Sequence, residues 1–385
     1  MGICKTVKSG LGAWYHAPGL GAGIRVPCAN ERNTMRLTTP PEFQSEAMLR
    51  GIDFAPLDLL LRQEALEHGL EVHDGHGRST WCETELGEFG VKKRGGDVLV
   101  FARAHRPEWL SAIQEAIVEH LAETMPETAQ GLRWSSLADI GKPPANFSLA
   151  RVGKVRRLSA DFLRMRLHGP DLGRLATLDS IHFRLVLPVA GDTAPEWPRL
   201  GANGQVQWPS GTKTLHRPVY TVRAVDADAG WLETDIFLHH GGRISDWALA
   251  GPEGDLVGLM GPSGGGIPTT ERLLLAGDQT AWPAIARILE SRPDAMGTTW
   301  LLGAESDYPM PKTGNISVTP LPDGAEALAT ILQESPPEST EHLWMAGEKS
   351  RIAMLRHLLL DKLGHDKRHA HLAAYWTAGT PDTGA

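Results

Sequence analysis

The segment LLLAGDQTAWPAIARILE, residues 273–290, carries the most informative pattern in this chain. It opens with a short apolar run typical of a buried strand, and a glycine ends that run. Asp278 and Thr280 can cap the helix that follows, and Pro283 is tolerated in its first turn because an N–H there has no helical partner. A buried strand, a turn and a capped helix predict one βα unit of a parallel sheet.

The same alternation continues to the carboxyl end of the chain. Strands are predicted for TTWLLGAE, HLWMAGE and HLAAYWTAG, and helices for AEALATILQE and SRIAMLRHLLLDKLG. Strands that alternate with helices pair in parallel, so residues 269–385 are predicted to form a doubly wound α/β domain of the nucleotide-binding kind. Glycines follow four of these strands, at Gly277, Gly303, Gly347 and Gly379. Because ligands bind outside the carboxyl ends of such strands, this register favours a ligand crevice over simple turns.

Upstream, the pattern changes to strands with little helix. The segments are RVGKVRRL, DFLRMRLHG, HFRLVLPV, VYTVRAV and WLETDIFLH, and residues 226–230 between the last two predict a hairpin turn. Several antiparallel strands of this kind predict a β-barrel over residues 147–268. The chain is therefore predicted to be multidomain, with an antiparallel barrel followed by the α/β domain.

A third pattern occupies the amino-terminal part. Residues 49–135 contain a short helix, strands that include one at 81–91, and a second helix after Pro107, which together predict a small α+β domain of unknown role. The stretch 135–146 carries paired prolines and predicts a linker, and residues 1–48 are predicted to be a flexible leader.

The composition limits the partners and the compartment. The net charge is −8, whereas a protein that grips nucleic acid by its phosphates usually carries a basic excess. No run approaches the ~20 apolar residues of a membrane span. Neither nucleic acid nor a membrane is therefore predicted as a partner. Three cysteines without paired spacing predict a reducing, cytoplasmic location. His73 and His76 have no evident partner set, so no metal site is predicted.

Four segments within residues 150–380 resemble the siderophore-interacting family, whose members are FAD-dependent ferric-siderophore reductases with a ferredoxin-reductase-like layout. Segment 273–290 is similar to the family pattern AGDETAxPAIxRxLE, with Gln279 in place of the usual glutamate. LWMAGEKSRIAMLRHLL and the terminal HLAAYWTAG are similar to later segments of the family. The amino-terminal domain resembles a small uncharacterised domain that is sometimes fused ahead of such proteins.

The segment HRPVYTVR resembles the family's flavin-binding Arg-x-Tyr-Thr stretch. The resemblance implies that Tyr220 lies against the isoalloxazine and that Thr221 is the catalytic residue at its redox-active edge. The family arginine that serves the pyrophosphate falls on Pro218, so Arg217 or Arg223 is expected to replace it. Taken alone, the tyrosine could equally be a packing aromatic between strands.

The segment DIFLHHGGRISDWA resembles the family turn that presents backbone N–H groups to the flavin pyrophosphate. The matching residues, which are expected to bind the cofactor, are His239, Gly242, Ser245 and Trp247. Arg243 of the same turn is a further candidate for the phosphates, and His240 stands where glycine is usual. In the α/β domain the resemblance implies a nicotinamide crevice formed by Gly277, Asp278, Thr280, Gly347 and Glu348.

The resemblance implies an FAD-dependent oxidoreductase that takes electrons from NADH, NADPH or a ferredoxin and reduces a ferric siderophore. A nicotinamide gives two electrons as hydride and Fe(III) accepts one, so flavin bridges the mismatch. Ferrous iron fits hard oxygen chelators poorly, and reduction releases it. Surface cations are expected to steer the substrate, and the candidates are Lys213, Arg243, Lys349 and Arg351. Each of these could instead be ordinary solvated surface.

Two alternatives stay open at this point. The first is a general flavin-dependent NAD(P)H oxidoreductase that acts on another acceptor, which turnover on ferric chelates against quinones and free flavin would distinguish. The second is a non-catalytic siderophore-binding protein whose flavin pocket is spoiled by the displaced arginine. A colourless protein that binds ferric siderophore would support the second.

Overall fold

The computed structural model describes residues 41–68, 70–84, 87–135, 140–201, 206–303 and 307–379. Tertiary contacts divide these residues into two compact units. The first unit holds residues 41–146 and 196–211, and the second holds residues 147–195 and 212–379. Residues 1–40 of the predicted leader lie outside the described residues.

The first unit is built on a five-stranded antiparallel sheet in the order β1-β5-β4-β3-β2. Its elements are β1 (Phe43–Leu49), α1 (Phe54–His68), β2 (Val72–Asp74), β3 (Ser79–Glu83), β4 (Gly87–Arg94), β5 (Asp97–Ala104), α2 (Pro107–Thr124) and α3 (Pro126–Gly131). Strand β1 begins inside the predicted leader because its sequence alternates, burying Ser45, Ala47 and Leu49 while the residues between them are exposed.

The single strand predicted over residues 81–91 is two strands, because the chain reverses between β3 and β4. At the start of β4, a Cβ on Gly87 would lie 1.9 Å from the carbonyl oxygen of Arg103 on β5. Only glycine permits this close approach of two backbones. The reversal therefore depends on a contact that the local pattern does not reveal.

The second unit opens with a seven-stranded antiparallel sheet in the order β11-β8-β14-β6-β7-β13-β12. Its elements are β6 (Phe147–Arg157), β7 (Phe162–His168), β8 (His182–Val186), β11 (Val219–Thr221), β12 (Ala224–Asp226), β13 (Trp231–Phe237), α4 (Arg243–Leu249) and β14 (Leu256–Ser263). Between β8 and β11, the chain forms the short strands β9 (Arg199–Leu200) and β10 (Val206–Gln207), which belong to the first unit. The predicted hairpin is confirmed, since β12 pairs with β13.

This sheet closes on itself around an apolar core. Its fully buried residues include Met165, Leu167, Leu185, Leu232 and Leu259. The closure is made where β11 meets β13, because the N–H of Arg223 donates to the carbonyl of Glu233 and the hydroxyl of Thr234 donates to the carbonyl of Thr221. The barrel architecture expected from the strand pattern is confirmed.

The rest of the second unit is a five-stranded parallel sheet in the order β17-β16-β15-β18-β19. Its elements are β15 (Arg272–Gly277), α5 (Trp282–Ser291), β16 (Met296–Leu302), β17 (Ile316–Leu321), α6 (Glu326–Glu334), β18 (His342–Glu348), α7 (Lys349–Arg356) and β19 (Ala370–Trp376). Strand β17 was not predicted because most of its residues are exposed at the sheet edge.

Two apolar layers cover this sheet. Helix α5 packs on one face through residues such as Trp282 and Ile285, whereas α6 and α7 pack on the other through Leu328 and Leu355. The chain runs from β15 to one side and from β18 to the other, so a switch point lies between the carboxyl ends of these two strands. Among the helices of the described ranges, none combines the length and apolarity needed to cross a bilayer.

Candidate flavin and nucleotide site

Tyr220 and Thr221, the residues predicted at the flavin ring, lie on the edge strand β11 of the barrel sheet. Tyr220 is half-buried against the barrel core and pairs with Phe183, whereas Thr221 is 4% exposed and pairs with His182. Successive residues of a strand point to opposite faces. The carbonyl of Thr221 accepts a 2.9 Å hydrogen bond from Oγ1 of Thr234. The strand that carries the ring and the hydroxyl is therefore held in place.

Arg217 precedes this strand, and its backbone carbonyl accepts a 3.0 Å hydrogen bond from Nη1 of Arg184. Arg184 is 8% exposed and pairs with Val219 across β8 and β11. The sequence reading missed Arg184. Its signal is a charged residue inside the apolar run HFRLV, because a guanidinium is buried only where it is bound. Arg184 thus brings a cation beside the start of β11, the strand predicted to contact the flavin.

Arg223, the other arginine predicted at the phosphates, is bound by carboxylates of the protein. It is 8% exposed, its Nη atoms donate to both carboxylate oxygens of Glu290 at 2.9 and 2.8 Å, and its Nε lies 3.3 Å from Asp235. Burial alone would lower the pKa of Arg223, but the hydrogen bonds to Glu290 and the attraction of Asp235 raise it above its usual value. Two carboxylates thus already bind the guanidinium, and its role at the phosphates stays a prediction.

The turn before α4 is shaped by the residues predicted to bind the cofactor. Oγ of Ser245 accepts a 3.1 Å hydrogen bond from the N–H of His239, and Nε1 of Trp247 donates at 2.9 Å to Asp255. A Cβ on Gly242 would lie 2.5 Å from Nε2 of His239, so the imidazole packs directly against this glycine. These side chains fix the conformation of the turn. An anion could then bind to the backbone N–H groups at the start of α4.

Asp278 and Glu348 lie at the carboxyl ends of β15 and β18. Asp278 is 2% exposed. Its Oδ1 accepts a 3.1 Å hydrogen bond from the N–H of Thr280, and its Oδ2 accepts a 2.9 Å hydrogen bond from the N–H of Glu348. Glu348 caps α7 by accepting from Ser350 and Arg351. The hydrogen bond from the Ser350 hydroxyl, with further backbone donors, lowers the pKa of Glu348 to about 2. Both carboxylates are thus bound by groups of the protein itself.

The glycines after these strands leave room for the protein's own side chains. A Cβ on Gly347 would lie 2.6 Å from Oδ2 of Asp278, and one on Gly303 would lie 2.3 Å from Nε2 of Gln279. A Cβ on Gly277 would lie 2.8 Å from the carbonyl oxygen of Ala346. Close packing at the switch point therefore explains why glycines follow these strands. Their backbone N–H groups are the part that a ligand could reach.

Two aromatic residues near the end of β19 were missed as site residues. Nε1 of Trp376 donates at 2.9 Å to Oδ2 of Asp278, and the hydroxyl of Tyr375 lies 2.8 Å from Nε2 of His182. The signal in the sequence is the Tyr-Trp pair that ends the last strand. These contacts join the last strand both to the crevice and to the strand that neighbours Thr221.

The four candidate substrate cations differ in how far they are already bound. Nζ of Lys213 donates to both oxygens of Asp192 at 2.8 and 2.9 Å, and Arg351 makes a bidentate pair with Asp323 at 2.6 and 3.0 Å. Arg243 is exposed, with Nη2 3.4 Å from the carbonyl oxygen of Pro188. Lys349 is exposed at the start of α7, and no ion pair is found for it within the described part of the chain.

These groups match the chemical needs of FAD. An aromatic ring and a hydroxyl lie on one edge strand, a guanidinium lies beside them, and a glycine turn offers backbone N–H groups. A barrel with these residues, followed by a parallel sheet with a switch-point crevice, is the arrangement expected of an FAD-dependent oxidoreductase.

The comparison with protein families gives the narrower assignment. Residues 151–266 match the siderophore-interacting FAD-binding domain, and residues 270–379 match the siderophore-interacting protein domain. The chain belongs to the siderophore-interacting protein family.

Individual relatives match more than half of the chain. The ferric vibriobactin reductase ViuB of Vibrio cholerae is 28% identical over 255 residues, which is 58% of this chain and 86% of ViuB. An NADPH-dependent ferric-chelate reductase of Escherichia coli is 26% identical over 239 residues, covering 58% of this chain and 91% of that protein. The solved structure of SipS from Aeromonas hydrophila superposes with a TM-score of 0.51 at 23% identity, over 62% of this chain and 94% of SipS.

Proposed function

We propose that this protein reduces the iron of ferric siderophores, using NADH or NADPH as donor and FAD as the carrier between them. The observation that carries the proposal is the placement of Tyr220 and Thr221 on an edge strand that is joined through Arg223 to the first helix of the nucleotide domain. The names of the V. cholerae and E. coli relatives, which are ferric reductases, support the substrate class.

Bound FAD supplies the exchange between a two-electron hydride donor and a one-electron acceptor. In this proposal, Tyr220 supports the planar ring and Thr221 offers a hydroxyl at its reactive edge. Arg217, Arg184 and the turn before α4 balance the negative pyrophosphate. The backbone around Gly277, Thr280 and Gly347 forms the donor crevice, whose shape is fixed by the internally bound Asp278 and Glu348. A ferredoxin as donor stays a prediction.

The ferric siderophore is the substrate, and no protein ligand need touch its iron. One electron converts Fe(III) to Fe(II), which hard oxygen chelators hold less well, so the metal leaves the chelator. We infer that Lys349 steers an anionic complex toward the site, because it is exposed and its charge is not balanced by an ion pair among the described residues. Lys213 and Arg351 are weaker candidates because carboxylates already balance them.

We propose residues 147–268 as the flavin domain and residues 269–385 as the nucleotide domain. Residues 49–135 are proposed as a separate small α+β domain whose removal does not abolish electron transfer, because every residue assigned a redox role lies after it. A cytoplasmic location is proposed with the function, since an iron-releasing reductase draws on reduced nicotinamides.

The experiment is a comparison of acceptors. Purified protein is expected to carry FAD, identified after release by chromatography, and to oxidise NADH or NADPH anaerobically when a ferric hydroxamate is present. The same assay is run with a quinone and with free flavin. Ferric chelate as the preferred acceptor supports the proposal, whereas preference for the quinone or free flavin rejects it in favour of a general oxidoreductase. A protein that cannot be loaded with FAD also rejects it.

A further inference from the structure

Asp235, on β13 of the barrel, is the centre of a buried charged cluster. It is 2% exposed, and its carboxylate accepts from Nε and Nη2 of Arg164 at 2.6 and 2.7 Å. The hydroxyl of Tyr308 donates to the same carboxylate at 2.7 Å, and Nε of Arg223 lies 3.3 Å from it. A buried carboxylate with this many donors is strongly fixed, and so are the groups that bind it.

The cluster continues from the barrel to helix α5. Arg223 lies two residues after Thr221 and makes the bidentate pair with Glu290 of α5, its own side chain being 4% exposed. A bidentate pair fixes direction as well as distance, because both planar groups must align. The carboxylate of Glu290 is therefore a link between the end of the flavin strand and the nucleotide domain.

The arginine of α5, Arg287, binds the main chain directly after the same strand. Arg287 is 7% exposed, and its Nη1 donates at 2.5 Å to the carbonyl of Val222, the residue after Thr221. Its Nη2 donates at 2.8 Å to the carbonyl of Thr177. Main-chain and side-chain contacts thus converge on residues 222 and 223 from a single helix.

Helix α5 starts directly after the crevice residues Asp278 and Thr280. A shift of this helix would therefore move the crevice relative to β11. Reaction between two bound groups is sensitive to their placement, and a misplacement of about 1 Å can cost on the order of 100-fold in rate.

We propose that Asp235 and Glu290 are positioning residues that hold the donor crevice in register with the flavin strand. This inference rests on the proposed function and deepens it. Hydride transfer from a nicotinamide needs both domains in register. Electron transfer from reduced flavin to an external ferric complex needs only the barrel that holds the flavin. Loss of the cluster is therefore expected to slow the first half of the reaction and to spare the second.

The test measures the two halves separately in the intact protein loaded with FAD. Stopped-flow absorbance follows flavin reduction by saturating NADH or NADPH without oxygen. In a second experiment, dithionite-reduced protein is mixed with ferric acetohydroxamate and reoxidation is followed. The variants are Glu290→Gln, whose side chain is 47% exposed, and Asp235→Asn. The control is Glu341→Gln, because Glu341 also binds an arginine, Arg272, but lies at the amino ends of the strands, away from this cluster. FAD affinity and the thermal midpoint are measured for each variant.

Glu290→Gln is expected to slow flavin reduction about 10-fold and Asp235→Asn about 100-fold, with reoxidation and FAD affinity within about 2-fold of the parent. The control is expected to change neither half. Equal slowing of both halves, or no slowing of reduction by Glu290→Gln, would overturn the inference. If the parent's reduced flavin gives no electrons to the ferric complex, the proposed function fails, and the reduction rates of the variants still decide the positioning role.

Discussion

Nε1 of Trp376 donates a 2.9 Å hydrogen bond to Oδ2 of Asp278, and this contact joins the last strand of the α/β sheet to the loop after the first. The same oxygen accepts the N–H of Glu348 at 2.9 Å, while Oδ1 accepts the N–H of Thr280 at 3.1 Å. One carboxylate thus ties three elements together at the switch point. The shape of the proposed donor crevice depends on it.

Asp278→Ala is therefore expected to lower the free energy of unfolding by about 2–4 kcal/mol, because it leaves several buried N–H donors without an acceptor. Urea unfolding measured by tryptophan fluorescence checks this value. The control is Asp323→Ala, which removes an ion pair with Arg351. The side chain of Asp323 is 63% exposed, so this change should lower the free energy of unfolding by less than about 1 kcal/mol. Equal losses in the two variants would contradict this account of Asp278.

Tyr220→Ala is expected to weaken FAD binding by about 1 kcal/mol or more, since the ring would lose its aromatic support. Titration of the protein freed of flavin, followed by quenching of FAD fluorescence, measures the effect. Val219→Ala is the matched control, because Val219 lies next to Tyr220 on the same strand and is 49% exposed. An unchanged affinity in Tyr220→Ala would mean that this ring only packs against the barrel.

His182 is expected to make stability depend on pH. Burial, and then the positive charges of His371 and Arg287, lower the pKa of His182 to about 3, while the unfolded side chain titrates near its usual 6.5. Only the unfolded state therefore binds a proton between these values. Protonation of the unfolded state lowers the free energy of unfolding. This loss is absent above pH 6.5 and grows by up to about 1.4 kcal/mol per pH unit as the pH falls toward 3. Tyr375 accompanies this ring, its hydroxyl 2.8 Å from Nε2.

The measurement is the unfolding free energy of the parent and of His182→Asn at several pH values from 7.5 to about 4.5. The difference between the two proteins should shrink as the pH falls, because the variant lacks the group that is protonated on unfolding. Curves that stay parallel over this range would show that His182 does not carry the effect.

Lys349→Gln is expected to raise KM for an anionic ferric catecholate about 2-fold to 5-fold at low salt and to have little effect at high salt. Steady-state kinetics at two ionic strengths measure this. Lys213→Gln should change KM less, because Asp192 already balances Lys213. A salt-independent change, or a larger effect at Lys213, would argue against steering by Lys349.

The α/β domain was predictable because its segments are long and strongly patterned. The strands LLLAG and HLWMAGE are buried on both faces, so each shows as a continuous apolar run. Strand β17 lacks this signal because Ser317, Val318, Thr319 and Pro320 are all exposed. In the first unit, the reversal before β4 depends on the contact of Gly87 with β5, which a local pattern cannot reveal.

The site was predictable in its segments and less so in its roles. The motif identified Tyr220 and Thr221, which lie together on β11, and their roles at the flavin stay a prediction. Arg223 was expected at a phosphate, but its partner Glu290 lies 67 residues away and only the folded chain brings them together. Arg184 escaped notice because nothing in its own strand shows that it faces Arg217. Motifs identify the residue types, and tertiary contacts decide which of them remain available to a ligand.

The most direct test of the central claim is a single-turnover experiment without oxygen. Protein-bound FAD is reduced fully, the excess reductant is removed, and a ferric hydroxamate is added together with a ferrous-specific chelator. The flavin spectrum is expected to return to the oxidised form while coloured Fe(II) chelate accumulates. Two Fe(II) should form for each flavin reoxidised, because flavin holds two electrons and Fe(III) accepts one. Reduced flavin that persists beside unreduced ferric hydroxamate and ferric catecholate would contradict it.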